Sequence, residues 1–248
     1  MLNERSLYNY VDNGLFTARN IDMPRVVRMG RRKRKKDHFK VDKKCRIGRT
    51  YQDFLKFIAE HPGIPIVEMD SVEGRKGGKV LLTLHFPIPQ LMLAFIRDAN
   101  TSQSAIDIFN RLYMELHPAV FGELFQVLLG DNGSEFSNPT AIELDTQGIF
   151  RTRVFYCDPQ APYQKGAAEN NHALIRRIIP KGVSLDYFTQ EDITLMMNHI
   201  NSYRRLNLGG KTPYEVFASL YGEDILRKMG AELIPADKVT LRPSLLEK

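Results

Sequence analysis

Three carboxylates of this 248-residue chain stand at positions where metal-dependent chemistry is expected. Asp70 and Asp131 each follow an apolar run that predicts a β-strand, and Glu169 lies in the first turn of a predicted helix. If the two strands are neighbours, both aspartates emerge at one edge of the sheet, where ligands bind in open α/β sheets. Three carboxylates close together repel one another, so we expect divalent cations between them.

The expected cations follow from the type of ligand. Hard carboxylate oxygens favour Mg²⁺ or Mn²⁺. Two such ions about 4 Å apart can activate a water or hydroxyl on one side of a phosphorus and stabilise the leaving oxygen on the other. We therefore expect phosphodiester cleavage and transfer. Glu68 shares a strand face with Asp70, which leaves a metal role open for it, although we expect a salt-bridged supporting role.

Each of these motifs also has a plainer explanation. Asp131-Asn-Gly133 is a common turn sequence, and Asp70 beside Glu68 could protect an edge strand against aggregation. One face of the predicted helix that carries Glu169 could be an ordinary solvated face with i,i+4 ion pairs. Because all three acids are present, we expect that face to flank the metal site and to position a phosphate backbone. The face holds Lys165, Glu169, His172 and Arg176.

A basic run precedes the predicted core. Between residues 25 and 49, thirteen Lys or Arg stand against two Asp, a local charge of +11 in a chain whose formal net charge is +6. A basic arm beside a mildly acidic body is typical of proteins that bind a polyanion, and nucleic acid is the obvious one. A solvated linker or a nuclear-import signal would look similar in isolation. The arm residues predicted to contact DNA are Arg31, Arg32, Lys33, Arg34, Lys35 and Lys36.

The composition excludes several classes of protein. With 43% hydrophobic and 26% charged residues, the chain has the composition of a globular protein, and it contains no apolar stretch long enough to cross a bilayer. The first residues lack the pattern of a signal peptide. Cys45 and Cys157 are too far apart in sequence to indicate a disulfide framework or a metal-binding pair. We therefore expect a cytoplasmic protein with no membrane partner.

The predicted elements indicate an α/β fold. Strands are expected at 64–71, 79–86, 90–97, 123–130 and 153–157. Helices are expected at 51–60, at 106–116 ending before Pro118, and at 139–146, 165–179, 190–205 and 213–221. Short, Gly-marked connections between the first three strands indicate an antiparallel meander. The later alternation of strand and helix predicts a mixed sheet with parallel strands at its centre.

Five segments of the sequence resemble one known family. They are residues 67–74, 130–136, 156–171, 176–182 and 208–217, which together span about residues 50 to 220. They are similar to the DDE transposases of bacterial insertion sequences, and within them to the insertion-sequence-thirty family. The resemblance implies a ribonuclease-H-like mixed five-stranded sheet flanked by helices, of the retroviral-integrase type, with Asp70, Asp131 and Glu169 as the metal-binding triad. It also implies nicking at transposon ends to free a 3′-hydroxyl, which then attacks target DNA.

The resemblance also suggests a domain organisation. Residues 1–24 are interpreted as the tail of a helix-turn-helix module, 25–50 as a basic linker, 51–182 as the catalytic core and 183–248 as a helical extension packed on it. Two features depart from the family. We expect that most of the helix-turn-helix region is missing from the chain, and 37 residues separate Asp131 from Glu169, which is longer than the family pattern leads us to expect. The zinc module of retroviral integrases is absent, so we predict no zinc.

Three functions remain open from the sequence. The first is an active strand transferase, in which Asp70 and Asp131 share one metal and one of them holds the other with Glu169. It would act on double-stranded DNA, at transposon ends and target, as a homo-oligomer associated with the nucleoid. The second is a truncated remnant that only binds DNA or inhibits a full-length partner. The third is a stand-alone metal-dependent nuclease of the same fold.

Overall fold

The computed structural model describes residues 3–17 and 43–247. The chain divides into two units, Met1–Lys40 and Val41–Lys248. In the first unit, the described residues form helix α1 (Glu4–Asp12). Gly14 follows with a φ of +67°, a conformation that glycine adopts readily at a helix end, as the sequence predicts. Residues 18–42, which include the predicted DNA contacts from Arg31 to Lys36, lie outside the described residues.

A mixed five-stranded sheet forms the centre of the second unit. Its strands are β1 (Ile66–Glu73), β2 (Val80–Phe86), β3 (Leu91–Arg97), β4 (Val127–Gly130) and β5 (Arg153–Tyr156). The order across the sheet is β3-β2-β1-β4-β5. The first three strands pair antiparallel, whereas β4 runs parallel to β1 and β5 runs parallel to β4. This arrangement confirms the predicted ribonuclease-H-like fold class.

Helices cover both faces of the sheet. They are α2 (Tyr51–Glu60), α3 (Ser102–Leu116), α4 (Pro118–Leu124), α5 (Pro139–Glu143), α6 (Gly166–Ile178), α7 (Gln190–Asn201), α8 (Pro213–Tyr221) and α9 (Glu223–Lys228). The larger hydrophobic core lies between one face and α3, α4, α8 and α9. On the other face, α6 and α7 pack on β1 to β3, and α2 packs on β4 and β5. Among the described residues, no helix is long and apolar enough to cross a membrane.

Strand β1 presents different chemistry on its two faces. Met69 is fully buried in the larger core. Because successive side chains of a strand point to opposite faces, Glu68 and Asp70 lie on the other face. There they pair with β2, with Glu68 opposite His85 and Asp70 opposite Thr83. A polar strip therefore crosses the sheet between the two smaller hydrophobic clusters.

The predicted strand at 123–130 is wrong in its first half, since the strand begins only at Val127. Glu123 and Leu124 belong to α4, which begins at Pro118 with His117 as its N-cap. Proline suits the first turn of a helix because it needs no hydrogen-bond partner for its nitrogen. Phe121 of α4 then stacks on Phe125 with ring centroids 4.7 Å apart. A short apolar run does not by itself distinguish a buried helix from a strand.

Helix α7 covers the edge of the sheet at β3. The Asn201 side-chain amide accepts from Met92 N at 3.0 Å and donates to Met92 O at 2.8 Å. The Gln190 amide bonds Ile96 N and Ala94 O in the same way. These amides satisfy backbone groups that an open edge strand leaves unpaired. The helix ends at Asn201, earlier than the predicted 205, and a 3₁₀ turn follows at Leu206–Leu208.

Candidate active site

The parallel pairing of β1 with β4 brings two of the three predicted acids together. Glu68 and Leu129 are partners in the register, and Asp70 and Asp131 each lie two residues further along. Both therefore lie on the same face of the sheet, Asp70 within β1 and Asp131 just beyond the end of β4. Their side chains line one cavity of about 440 Å³.

Glu169 lies on α6, close in sequence to residues that line this cavity. Its side chain is not among those that the structure describes. Its backbone position falls four residues after Lys165 and three before His172, and both of those residues line the cavity. Residues at such spacing share a helix face. Among the described side chains, no three acids, histidines or cysteines form a metal-binding group. The role of Glu169 as the third ligand stays a prediction.

Several neighbouring groups shift the pKa of the Asp131 carboxyl. Burial raises its pKa, and the nearby Asp70 carboxylate raises it further, while Lys165 and a hydrogen bond from Gly133 N lower it. That bond, to Asp131 Oδ1, measures 2.9 Å. A Cβ on Gly133 would lie 2.9 Å from the same oxygen and 2.6 Å from Glu135 Cδ. The Asp-Asn-Gly turn therefore holds the carboxylate, and a larger residue at position 133 would have to displace the Glu135 carboxyl.

Lys165 points into the protein beside Asp70. Its Nζ donates to Met69 O at 3.1 Å and lies 3.3 Å from Asp70 Oδ2. The residue is only 8% exposed, so in this structure its charge faces the carboxylates. Its predicted contact with DNA stays a prediction, and the structure adds an internal partner that spacing on the helix did not reveal.

His172 and Arg176 also bind α6 to the sheet. His172 Nε2 lies 3.0 Å from Thr83 Oγ1, and its Nδ1 lies 3.9 Å from Asp70 Oδ2. Burial lowers the pKa of His172, although Asp70 opposes the shift. Arg176 Nη2 donates to Glu73 O at 2.8 Å. The face predicted to contact DNA is thus the face that docks on β1.

A buried pair beneath Asp70 supports the site. Glu68 Oε2 lies 3.0 Å from His85 Nδ1, and the two residues are 7% and 0% exposed. This agrees with the supporting role expected for Glu68. The signal that could have found the pair was the β1–β2 meander, whose register places the two residues opposite each other.

Two cations of the basic run bind the core. Arg46 Nη2 donates to Asn132 O at 2.9 Å, within the turn after Asp131. Arg49 binds both carboxylate oxygens of Glu143, which together with the charge of Glu143 raises the pKa of Arg49. The last residues of the basic run are therefore fixed beside the turn that follows Asp131. Charge counting alone could not separate these structural arginines from cations available to DNA.

Cys157 also lines the cavity, and its thiol is not poised as a nucleophile. Burial raises the pKa of Cys157 to about 11, and Lys165 only partly opposes the Glu68 and Asp131 carboxylates. Because the thiolate is the reactive form, we expect iodoacetamide at pH 8 to label the half-buried Cys45 at least about tenfold faster than Cys157. Labelling of Cys157 should rise as the pH approaches 11. Peptide mass spectrometry measures both sites in one sample, and equal rates at pH 8 would contradict the shift.

The donors in the cavity fit divalent metal ions. Asp70 and Asp131 supply hard oxygen ligands on one sheet face, which suits Mg²⁺ or Mn²⁺. The ammonium of Lys165 against Asp70 shows that the site already favours a cation. Burial and, to a lesser degree, the Asp70 carboxylate raise the pKa of Asp131, and a cation at this site would favour its charged form.

Comparison with known proteins agrees with the sequence resemblance. No protein-family model matches the chain. It is 28% identical over 130 residues to the transposase for insertion sequence element IS1086 of Cupriavidus metallidurans, covering 52% of this chain and 36% of the relative. It is 36% identical over 94 residues to transposase InsI for insertion sequence element IS30A of Escherichia coli, covering 38% and 24%. It is 30% identical over 203 residues to a probable transposase for insertion-like sequence element IS1161 of Streptococcus salivarius, covering 78% and 53%.

These relatives confirm the predicted resemblance to insertion-sequence transposases, including the insertion-sequence-thirty group. The chain spans between about a quarter and about half of the length of each of them. Among solved structures, the catalytic core domain of BIV integrase is 21% identical with a TM-score of 0.46, covering 64% of this chain and 97% of that one. A simian T-cell lymphotropic virus intasome is 15% identical with a TM-score of 0.45, covering 61% and 54%.

Proposed function

Because the curated relatives of this chain are transposases, we propose that it is a DDE transposase. It would cleave DNA strands at transposon ends and transfer them to target DNA. The observation that carries the proposal is the shared cavity of Asp70 and Asp131, which emerge from neighbouring parallel strands. Two acids on rigid strands, with a third on the helix beside them, form the scaffold that metal-dependent phosphoryl transfer requires.

Asp70, Asp131 and Glu169 would hold two Mg²⁺ or Mn²⁺ ions. When bound, such ions activate the attacking oxygen and stabilise the leaving oxygen at a phosphodiester. Around them, Thr83 orients the ring of His172, whose lowered pKa favours the neutral form. The turn after Asp131 holds that carboxylate through its hydrogen bond from Gly133 N. These groups therefore fix the acids in place before DNA arrives.

The proposed partner is double-stranded DNA, both at the transposon ends and at the target. Arg31 to Lys36 would neutralise phosphates, with further contacts from Lys165, His172 and Arg176. Phosphate contacts of this kind position the duplex without reading its sequence. A homo-oligomer assembled on DNA would allow the two transposon ends to be processed together. We place this activity in the bacterial cytoplasm, at the nucleoid.

Nicking of a supercoiled plasmid tests the proposal. We expect the wild-type chain to nick in Mg²⁺ and not in EDTA, and we expect Glu169→Gln to lower the nicking rate on the order of a thousandfold, because a third metal ligand is lost. Glu60→Gln, at the exposed end of α2, is the matched control and should nick like the wild type.

The other outcomes either contradict the proposed role of Glu169 or favour one of the two remaining functions. Equal nicking by the wild type and Glu169→Gln would remove the catalytic role of that acid. Nicking by neither protein, with DNA binding retained, would favour a binding-only remnant. Nicking without joining of a 3′-end to a second DNA would favour a stand-alone nuclease.

A further inference from the structure

Lys165 has an unusual position for a lysine. It occupies the N-cap of α6, and its side chain makes no capping hydrogen bond. The positive end of the helix dipole lies at that terminus and disfavours a cation there. The residue is also only 8% exposed, and a buried ammonium is costly unless it is paired. An opposing attraction must therefore hold it in place.

The acids of the cavity supply that attraction. Lys165 Nζ lies 3.3 Å from Asp70 Oδ2, and its charge acts on the Asp131 carboxyl as well. Lys165 Nζ also donates to a neutral group, the carbonyl of Met69, at 3.1 Å. One ammonium thus partly neutralises both aspartates in the protein without metal. Among the side chains that the structure describes, His172 is the next charged partner of Asp70, with Nδ1 3.9 Å away.

We propose that Lys165 is a resident counter-ion of the carboxylate site, which a divalent ion must displace from Asp70 in order to bind. The inference rests on the proposed function, because it assumes that Asp70 and Asp131 hold metal. An ammonium 3.3 Å from Asp70 Oδ2 repels a divalent ion that binds the same oxygen. Metal binding is then an exchange of cations. The displaced ammonium of Lys165 stays at the cavity, where it can donate a hydrogen bond to a DNA phosphate.

The exchange predicts that removing the lysine charge tightens metal binding. Lys165→Met keeps the length of the side chain and removes its charge, so we expect Mn²⁺ to bind at least about tenfold more tightly than to the wild type. Lys165→Arg keeps the charge and should bind within about threefold of the wild type. Lys181→Met removes one exposed charge just beyond the same helix and serves as the control for net charge.

The experiment is a titration with Mn²⁺ alone, in which the free ion is counted by its electron paramagnetic resonance signal. Circular dichroism checks that each variant is folded, and Lys165→Gln replaces Lys165→Met if the latter does not fold. Binding to the charge-free variant that equals or falls below wild-type binding would overturn the counter-ion role while leaving the metal site intact. Equal tightening by Lys181→Met would reduce the effect to net charge and also overturn it. Lack of Mn²⁺ binding by every variant would overturn the metal site itself, and the inference with it.

Discussion

Asp131→Asn is expected to abolish nearly all Mg²⁺-dependent nicking and, at the same time, to stabilise the protein without metal. The loss of activity should be on the order of a thousandfold, since an amide is a poor ligand for a hard cation and leaves the metal pair incomplete. The gain in stability has a separate cause. The Asp131 carboxylate is buried and lies near Asp70, so a neutral amide removes first the cost of burying the charge and also the repulsion.

The pH dependence of stability provides the second signature of this variant. The pKa of Asp131 is raised in the folded protein, so its protonated form is favoured there. Its contribution to stability is fully present below the unfolded pKa and is lost as the pH rises through the folded pKa. Without metal, the wild type should therefore lose stability over that range as pH rises, and Asp131→Asn should lack this part of the change.

Thermal unfolding in EDTA across a pH series measures the stability, and plasmid nicking measures the activity. Asp98→Asn, whose side chain is 95% exposed, is the control and should change neither property. A variant that lost nicking and was also destabilised in EDTA would indicate damage to the fold. A variant that retained nicking would remove Asp131 from the catalytic machinery.

Removing the charges of the basic arm should have the second large effect, a loss of affinity for DNA. Replacing all six residues from Arg31 to Lys36 with glutamine is expected to weaken binding to duplex DNA at least about a hundredfold at about 0.1 M salt. Each phosphate contact that is lost also lowers the slope of log affinity against log salt by about 0.9. The loss should be similar for unrelated DNA sequences, because contacts with phosphates carry no base information.

Fluorescence anisotropy at several salt concentrations, with two unrelated duplexes, measures both quantities. The matched control replaces six exposed lysines elsewhere with glutamine, at Lys56, Lys76, Lys181, Lys211, Lys228 and Lys238. If charge alone mattered, the two sets would weaken binding equally. We expect a clearly smaller effect from the control set, and unchanged binding of the arm variant at low salt would reject the arm as a DNA contact.

The sequence by itself predicted the acids that we propose for the site and determined most of their local structure. The apolar runs before Asp70 and Asp131 predicted strands that end close to these acids, and the helix that carries Glu169 begins within one residue of its predicted start. Local signals were sufficient here because strand alternation and helix spacing fix which face a residue occupies. They failed at 123–126, where a short apolar run suits either element and Pro118 starts a helix instead.

Only the tertiary structure decided which of those faces meet. It paired β1 with β4 and so brought Asp70 and Asp131 into one cavity. It also turned Lys165 inward onto Asp70 and placed His85 beside Glu68. Spacing along an element gives the direction of a side chain, but its partner depends on the long-range packing of distant segments. For Lys165, that packing added Asp70 as a partner inside the protein, which spacing along the helix did not predict.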